Sequence, residues 1–560
     1  EPPTPSFAMS HLIEANALLT KQFPDGLPVV LDPFCGGGST LVEAQRLGLS
    51  SYGSDLNPVP VLISRVLTDL LPEAYEQPSL NEPLDDGTGL FVAGGTSHGY
   101  RGIEIDVRHY ASYIEMAVAE SLANHYPDPE QAVTCWLWAR TARCPNPVCG
   151  LENTLATTWW LSKRQGAMAW IQPVVEGSSL RLTIIQGQKS GSAPEPPKAS
   201  RGAAFVCVGC AGTISERDLE AQELGIRLVA VVENRDNRQN FRAPNSEEES
   251  QAVWDVNGLA AFADIPVSDG GTRRRFGLTT HADLYTPRQL ATLAAFADEV
   301  AETLERVKVD GGSDDYARAV VSVLGLAVGR LAHGGSSQTR WKFDSRSGSA
   351  KPEAAFGRND LPFTWDFVEV NPFSGGSWSW QQCIDTMLDA LTYVPHGSGR
   401  VERVDARTTR LATPGLVATD PPYFDAIGYA DLSDYFYIWH RRALRTVHPD
   451  LYGTIATPKA NELTALPSHH GNSREAARKY FIEGFTETFA NLQHSMASDL
   501  PLLVVYASKE QKGGGEEETR WASILTAIIA ADLEITGTWP IHGTGSTRMV
   551  GQGANAVASY

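Results

Sequence analysis

The stretch Gly415-Leu416-Val417-Ala418-Thr419-Asp420-Pro421-Pro422-Tyr423 joins a short apolar run to a carboxylate, two prolines and an aromatic ring. Residues 415–419 predict a buried strand, and the tetrapeptide then follows its carboxyl end, where open α/β sheets collect ligands. Such a tetrapeptide suits a flat, amino-bearing heterocycle. Asp420 and the Pro421 carbonyl can accept the two amine protons, while Tyr423 stacks on the ring. The alternative is a plain junction between a strand and a turn.

A second motif, far upstream, predicts a glycine turn between a strand and a helix. Leu27 to Leu31 predicts the strand, Asp32-Pro33-Phe34-Cys35-Gly36-Gly37-Gly38 the turn, and the residues up to Leu47 the helix. Glycines let a ligand approach the backbone closely, and a helix start presents free amides. The next strand, Ser51 to Ser54, precedes Asp55, an acidic group suited to ribose hydroxyls. The turn matches neither G-x-G-x-x-G nor a P-loop, and a purely structural turn is the alternative.

Together with Asp55-Leu56-Asn57-Pro58, these motifs resemble the cofactor and catalytic motifs of S-adenosylmethionine-dependent amino methyltransferases. More narrowly, the chain is similar to the zinc-ribbon-containing, adenine-specific DNA methylases of bacteria and archaea. The supporting stretches run through the chain in family order: Arg143 to Cys149, Leu284 to Leu290, Trp365 to Phe373, Tyr429 to Tyr437 and Gly553 to Ser559.

The resemblance implies an α/β fold class, with a Rossmann-like methyltransferase sheet interrupted by a large insertion that holds a zinc ribbon and a helical region. In related methyltransferases such an insertion often determines the target sequence. The resemblance assigns S-adenosylmethionine binding to Asp32, Phe34, Gly36, Gly38, Asp55 and Asn57. It assigns catalysis to Asp420, Pro421, Pro422 and Tyr423. Family members often belong to anti-phage defence loci, which implies a defence or modification role and a DNA partner.

The implied reaction needs positioning more than a strong base. The adenine amine is a poor nucleophile because its lone pair is delocalised into the ring, and hydrogen bonds from both of its protons would help it attack a methyl group. In a duplex the target base must also leave the stack, which costs roughly a few kcal/mol. Four aromatic residues follow the tetrapeptide and are candidates for the pocket or the core: Phe424, Tyr429, Tyr435 and Tyr437.

The order of the motifs predicts four parts of the chain. They are residues 1–71, the cofactor-binding half; 72–245, an insertion with the zinc ribbon; 246–364, a mostly helical insertion; and 365–560, the catalytic half. Helices are predicted at 110–119, 287–307 and 314–331; β-structure at 157–161, 180–185, 228–232, 416–419, 502–506 and 533–539; and loops at 82–98, 340–360 and 512–518.

The resemblance also implies segments beyond both ends of the sequence. Family members carry an N-terminal segment with tryptophans and arginines that should close over the methionine end of the cofactor, and a further strand and turn near the C-terminus. The sequence begins at Glu1 and stops at Tyr560. We therefore expect a fragment, a processed product or one part of a split enzyme.

Four of the seven cysteines form two closely spaced pairs, Cys144-x4-Cys149 and Cys207-x2-Cys210. Both spacings suit zinc knuckles, and four thiolates complete a tetrahedron, so the sequence predicts one structural Zn²⁺. The alternative is four reduced thiols in loops. Paired spacing also favours metal binding in a reducing cytoplasm over disulfides. The remaining cysteines are predicted to be small packing residues: Cys35, Cys135 and Cys383.

Composition indicates a soluble, multi-unit and strongly acidic protein. The 560 residues exceed one ordinary core, and a hydrophobic content of 42% is typical of soluble globular chains. No apolar run could span a membrane and no secretion signal begins the chain, which predicts a cytoplasmic location. The net charge of −20 lowers non-specific affinity for DNA and favours a positively charged partner subunit. Basic clusters exist at Lys163-Arg164, Arg273 to Arg275 and His440 to Arg442.

Two other functions remain open at this point. An RNA base methyltransferase can use a very similar Asp-Pro-Pro-Tyr, and a non-catalytic subunit of a defence complex could bind cofactor or DNA without turnover. Asn371-Pro372-Phe373 has one proline and is predicted to be a structural or pocket-lining turn. His469 and His470 lie in a polar loop and are predicted to be exposed and without a chemical role.

Overall fold

The computed structural model describes residues 5–83, 98–199, 202–236, 238–254, 256, 258–267, 271–357, 360–424, 427–506 and 515–539. In these residues the α-helices α1–α14 span, in chain order, Pro5–Gln22, Ser39–Arg46, Pro58–Arg65, Leu71–Glu73, Arg101–Ser121, Glu216–Glu220, Ser246–Gln251, Gly271–Arg275, Pro287–Val309, Asp314–Gly334, Trp380–Asp389, Tyr429–Leu444, Arg474–Leu492 and Gly515–Ala530. A π-helical turn, Val66–Leu70, joins α3 to α4.

The strands β1–β17 span, in the same order, Val30–Asp32, Ser51–Asp55, Val133–Arg143, Glu152–Thr154, Trp160–Ser162, Met168–Glu176, Ser179–Gln188, Phe205–Val206, Thr213–Ile214, Gly225–Arg235, Arg238–Arg242, Arg340–Phe343, Ala350–Glu353, Asp366–Val370, Gly399–Arg403, Leu416–Thr419 and Leu503–Val504. Short 3-10 helices lie at His98–Tyr100, Ala123–His125, Pro129–Gln131, Ala260–Phe262, Ala282–Leu284, Ala390–Tyr393, Pro467–His469 and Gln493–Ser495.

A parallel five-stranded sheet, in the order β15-β2-β1-β16-β17, carries both sequence motifs. Val30 of β1 lies opposite Ser51 of β2 on one side and opposite Leu416 of β16 on the other. Because all five strands run in the same direction, their carboxyl ends share one edge of the sheet. The mixed α/β fold with a parallel sheet is confirmed.

Successive residues of β1 point to opposite faces of the sheet, and both faces are covered by helices. Val30 is buried with Ala44 of α2, whereas Leu31 is buried with Phe481 and Phe485 of α13. Successive side chains of a strand point to opposite faces. A parallel strand that is covered on both sides therefore needs a continuous apolar run, which is what this stretch supplies.

A second sheet is antiparallel, with the strand order β11-β10-β3-β14 and with β4 paired to β3. Sequence analysis assigns the residues from 365 onwards to the catalytic half, but Asp366–Val370 pairs with Val133–Arg143 of the insertion. The ring of Phe367 stacks on that of Trp138, with centroids 6.3 Å apart. This strand therefore belongs to the antiparallel sheet, while the division into four parts stays a prediction.

Long helices pack against α12. The predicted helices at 287–307 and 314–331 are confirmed as α9 and α10, and both begin at capping side chains. Thr286 Oγ1 accepts from the Gln289 N–H and Ser313 Oγ accepts from the Tyr316 N–H, each at 3.1 Å, which satisfies amides that a helix start leaves free. These helices share one apolar core with α5, α11 and α12.

Three stretches differ from the sequence-based expectation. Residues 340–360, predicted as a loop, contain the hairpin β12–β13, where Trp341 Nε1 donates to the Leu161 carbonyl at 2.9 Å. Residues 533–539, predicted as a strand, form none, and residues 515–518, predicted as a loop, begin α14. The secondary structure of such stretches depends on contacts with distant segments, which cannot be inferred from local composition.

Several predictions fall outside the described residues: the loops at 84–97 and 512–514 and the stretch from Gly553 to Ser559. Within the part of the chain that the structure describes, no helix combines the length and apolarity needed to cross a bilayer.

Candidate functional site

A cavity of about 620 Å³ opens at the carboxyl ends of β1, β2, β15 and β16. Its walls come from the glycine turn, from the segments that follow β2 and β16, and from the start of α12. The motif residues that line it are Phe34, Gly36, Asp55, Asn57, Asp420, Pro421, Pro422 and Tyr423. The structure thus brings the two distant motifs to one cavity.

The glycine turn bends the chain from β1 into α2 and presents its backbone to the cavity. Gly36 has a φ of 49°, and its N–H donates to Asp55 Oδ2 at 3.2 Å. Gly38 has a φ of 85° and is not among the lining residues. A Cβ at Gly38 would lie 2.9 Å from Ser64 Oγ, so this glycine permits the close approach of α3 instead of contacting a ligand.

Asp55 ends β2 between the glycine turn and α3. Its Oδ1 accepts the Asn57 N–H at 2.9 Å, and its Oδ2 accepts the Gly36 N–H. Burial raises the pKa of Asp55 to about 6, although these amide bonds favour the ionised form. Each carboxylate oxygen has a second lone pair, so Asp55 can also accept hydrogen bonds from ligand hydroxyls.

Asn57 connects the segment after β2 to α12. Its Nδ2 donates to Ser433 Oγ at 2.8 Å, and its Oδ1 accepts the Val59 N–H at 3.1 Å, which caps α3. Asn57 therefore fixes the cavity wall through its side chain and presents the rest of its surface to the cavity.

Asp420 follows β16 and faces the cavity beside Tyr423. The Tyr423 hydroxyl donates to Asp420 Oδ1 at 2.9 Å, and the Tyr423 ring packs edge-on against Tyr506 with centroids 5.4 Å apart. Burial raises the pKa of Asp420, and the bond from Tyr423 partly opposes this. The other carboxylate oxygen makes no such bond within the described residues, so it can accept an amine proton.

Asp32 lies behind the cavity and connects its two halves. One oxygen, Oδ1, accepts both the Phe34 N–H at 3.0 Å and the Thr419 hydroxyl at 2.7 Å, so it ties the end of β1 to the end of β16. Burial raises the pKa of Asp32 to about 6 despite these bonds. Asp32 is not among the lining residues, so its place differs from that of a direct ligand contact.

Several lining residues were not among the sequence predictions, and the acidic and aromatic ones include Asp405, Phe356 and Glu462. Asp405 comes just after β15, and Asp55 is the last residue of the neighbouring strand β2. An acidic residue at the end of a strand could therefore have identified Asp405 from the sequence. Phe356 follows the hairpin β12–β13, and Glu462 lies in the segment after α12. Neither of these two has a local pattern that could have revealed it, because only tertiary packing brings them to the cavity.

The aromatic residues after the tetrapeptide divide between cavity and core. Tyr429 lines the cavity, whereas Tyr435 and Tyr437 are buried at 1% and 0% exposure. Phe424 packs edge-on against Phe481 with centroids 5.0 Å apart. Thus one of the four pocket candidates lines the cavity within the described residues.

The cavity wall is acidic. Asp55, Asp405, Asp420 and Glu462 line it, and neither lysine nor arginine is among its described lining residues. Asp405 is neutralised by Arg407, whose Nη2 lies 2.6 Å from its Oδ2. The other three carboxylates form no ion pair within the described residues. Unneutralised acids attract positive charge, so the wall favours a cationic ligand over one that carries phosphates.

The four paired cysteines meet at the tips of two hairpins. The β3–β4 loop carries Cys144 and Cys149, and the β8–β9 loop carries Cys207 and Cys210. All four sulfurs lie within 4.8 Å of one another, with 3.7 Å between Cys144 and Cys210 and between Cys149 and Cys207. A tetrahedron with Zn–S bonds of about 2.3 Å has sulfur separations of about 3.8 Å, so the donor set fits zinc.

Hydrogen-bond donors surround these sulfurs. Asn153 Nδ2 lies 3.4 Å from Cys207 Sγ. Burial would raise the pKa of Cys207, but the amides of Cys210 and Gly209 and the Asn153 side chain lower it to about 6. Such donors stabilise the thiolates that a metal requires. Outside this cluster, Cys35, Cys135 and Cys383 are buried, as predicted.

Two other predicted features differ in their surroundings. His469, predicted to be exposed, is half-buried, and its Nε2 lies 3.0 Å from Asp431 Oδ2 on α12. In the predicted basic cluster, His440 is buried and Arg442 pairs with Asp298 at 2.7 Å. His469 and Arg442 are therefore held by partners within the protein, whereas His440 is buried and its ring nitrogens have no hydrogen-bond partner among the described residues.

Comparison with known proteins finds sequence similarity over a short stretch of the chain. Over 64 residues the chain is 34% identical to the Type II methyltransferase M.MvaI of Kocuria varians, and this stretch covers 11% of the chain and 14% of that relative. No protein-family model and no solved structure matches the chain. The similarity supports a protein of the methyltransferase kind.

Proposed function

We propose that this chain is an S-adenosylmethionine-dependent DNA methyltransferase that modifies the exocyclic amino group of adenine in a prokaryotic defence or modification system. The observation that carries the proposal is that Asp420 to Tyr423 share one cavity with the glycine turn and Asp55. The short likeness to a methyltransferase supports the same reaction class. The cavity volume of about 620 Å³ also lies in the range of small-molecule sites, roughly 300–1,000 Å³.

The residues around β1 and β2 suit the cofactor. Gly36 and Gly37 offer backbone without side chains, and Asp55 can accept hydrogen bonds from ribose hydroxyls. When bound, S-adenosylmethionine supplies an electrophilic methyl group. It carries a sulfonium, an ammonium and one carboxylate but no phosphate, and its positive net charge agrees with an acidic wall that has neither lysine nor arginine among its described residues.

The residues after β16 suit the target amine. The free oxygen of Asp420 and the carbonyl of Pro421 can accept its two protons, which directs the nitrogen lone pair along one line. The hydrogen bond from the Tyr423 hydroxyl holds the Asp420 carboxylate in orientation. Tyr423 and Tyr429 supply aromatic surface for a base that has left the stack.

Structural zinc and charged partners complete the proposal. Cys144, Cys149, Cys207 and Cys210 would hold Zn²⁺, and four protein ligands leave no position for water or substrate, so the ion would be structural. Because the net charge of −20 opposes binding to DNA, the proposal includes a positively charged partner protein that contributes to DNA binding.

The test is transfer of an isotopically labelled methyl group from S-adenosylmethionine to duplex DNA and, in parallel, to total RNA. We expect label in DNA at the adenine amine, and none with the Asp420→Ala variant. Label in RNA alone, or on another base, would overturn the assignment of DNA adenine. Equal transfer by wild type and Asp420→Ala would overturn the catalytic assignment.

A further inference from the structure

Glu462 is a cavity carboxylate outside both sequence motifs and, unlike Asp405, it forms no ion pair among the described residues. It lies in the segment between α12 and α13, and its Oε1 accepts the Ala430 N–H at 3.1 Å, near the start of α12. Its Oε2 is buried and has no hydrogen-bond partner among the residues that the structure describes. One oxygen thus holds the helix start, while the other is buried without a partner in a side chain that lines the cavity.

The surroundings of Glu462 make an unpaired charge unfavourable. Burial raises its pKa to about 7, and the negative charges of Asp431 and Asp55 add to this effect. Burial and the negative charge of Asp420 raise the pKa of Tyr429, and the charge of Glu462 adds to this effect. The positive charge of Lys459 opposes the rise in the Glu462 pKa only in part, and its amine forms an ion pair with Asp434. A buried polar atom without a partner costs free energy that a bound ligand can recover.

We propose that Glu462 contacts the ligand and holds the positive charge of bound S-adenosylmethionine, either its ammonium or its sulfonium. This inference rests on the proposed function. Three observations point to a cation that arrives with the ligand. Among the described residues, Oε2 has no partner, the wall has neither lysine nor arginine, and Lys459 is already paired with Asp434. An arriving cation favours the ionised carboxylate, so Glu462 loses its proton to the buffer when the ligand binds.

Calorimetry of the full chain at pH 7, in two buffers with different ionisation heats, tests this coupling. Wild type should release a fraction of a proton on binding S-adenosylmethionine. Glu462→Gln keeps an oxygen for the Ala430 N–H but removes the charge, so it should bind about tenfold more weakly and lose that release. Glu483→Gln on α13, an exposed acid that pairs with Lys479, is the matched control and should behave as wild type.

Two further comparisons complete the experiment. S-adenosylhomocysteine keeps the ammonium but has a neutral sulfur, so retained proton release identifies the ammonium and lost release identifies the sulfonium. If Glu462→Gln fails to fold, Glu462→Asp keeps the charge and should still release a proton while binding more weakly. Wild-type affinity and proton release in Glu462→Gln would overturn the role of Glu462 alone. No binding of S-adenosylmethionine by wild type would overturn the proposed function and, with it, this inference.

Discussion

Asp55 and Asp420 occupy matching positions at the ends of two strands, yet their hydrogen bonds differ. Both oxygens of Asp55 accept backbone amides, whereas the bond that Asp420 accepts comes from the Tyr423 hydroxyl. Backbone amides fix Asp55 rigidly, which suits a group that positions a cofactor. Asp420 retains an oxygen for the target, which suits a group that orients an amine.

This difference predicts separate effects of removing each carboxylate. Asp55→Ala should weaken S-adenosylmethionine binding by about 1–3 kcal/mol, the range for losing hydrogen bonds to a charged group. Asp420→Ala is the matched control, because it removes a carboxylate from the same cavity but should leave cofactor affinity nearly unchanged. Isothermal calorimetry measures both, and unchanged affinity in Asp55→Ala would remove Asp55 from the cofactor site.

Asp32 predicts a pH-dependent stability. Its pKa is raised by burial from 3.8 to about 6, so the folded state binds this proton more tightly than the unfolded state. Protonated Asp32 therefore makes the folded state more stable than ionised Asp32 does. This contribution to the free energy of unfolding is complete below about pH 4 and is lost as the pH rises towards 6. Two pKa units correspond to about 3 kcal/mol.

Asp32→Asn should therefore melt at a higher temperature than wild type at pH 8, and the gain should shrink towards pH 4. Asparagine keeps an oxygen for the Phe34 N–H and the Thr419 hydroxyl, so the connection between β1 and β16 is retained. Calorimetric melting at several pH values checks this. A variant that is less stable than wild type at pH 8 would contradict the assignment of an ionisation cost to Asp32.

At the scale of elements, the hairpin β12–β13 brings part of the insertion to the cavity. Its strand β12 is held by the hydrogen bond from Trp341 to Leu161, and the chain that leaves β13 places Phe356 in the cavity wall. The Phe356 ring contacts Tyr435 and Phe436 of α12, with centroids 5.1 and 5.4 Å away. The chain that leaves this hairpin therefore helps to shape the cavity.

Phe356→Ala should weaken binding of S-adenosylmethionine by about 1 kcal/mol, the scale of one lost aromatic contact. Phe343→Ala, in the same hairpin but not among the lining residues, is the control for loss of hairpin packing. Binding and melting temperature should be measured on both variants. Equal losses of affinity in the two would assign the effect to the hairpin and not to the Phe356 ring.

The four cysteines in the β3–β4 and β8–β9 loops predict that the local structure depends on a bound metal. Cys207→Ser should lose bound zinc and lower the melting temperature, because the β8–β9 loop is tied to the β3–β4 loop through the sulfurs. Cys383→Ala changes a buried cysteine outside the cluster and should keep zinc at one ion per chain. Elemental analysis of purified protein measures both, and wild type that contains no metal would contradict the prediction.

At the scale of the whole molecule, the sequence predicts which strands form the parallel sheet better than it predicts which strands form the antiparallel sheet. The strand ends at Asp55 and Asp420 carry local motifs, so their meeting at one edge follows from the rule for open α/β sheets. Asp366–Val370 has no local sign of which sheet it joins, because its pairing with β3 depends on side chains such as Trp138, more than two hundred residues upstream. Glu462 and Phe356 were missed for the same reason.

The most direct test of the central claim is mass spectrometry of adenine in the DNA of cells that express the chain together with its genomic neighbours. Cells without adenine methylation of their own give a clean background. We expect N6-methyladenine with the wild-type chain and none with Asp420→Ala, a variant that should keep the fold and the proposed cofactor-binding residues. Absence of methyladenine with a folded, S-adenosylmethionine-binding wild type, or its persistence in Asp420→Ala, would contradict the claim that this cavity methylates DNA.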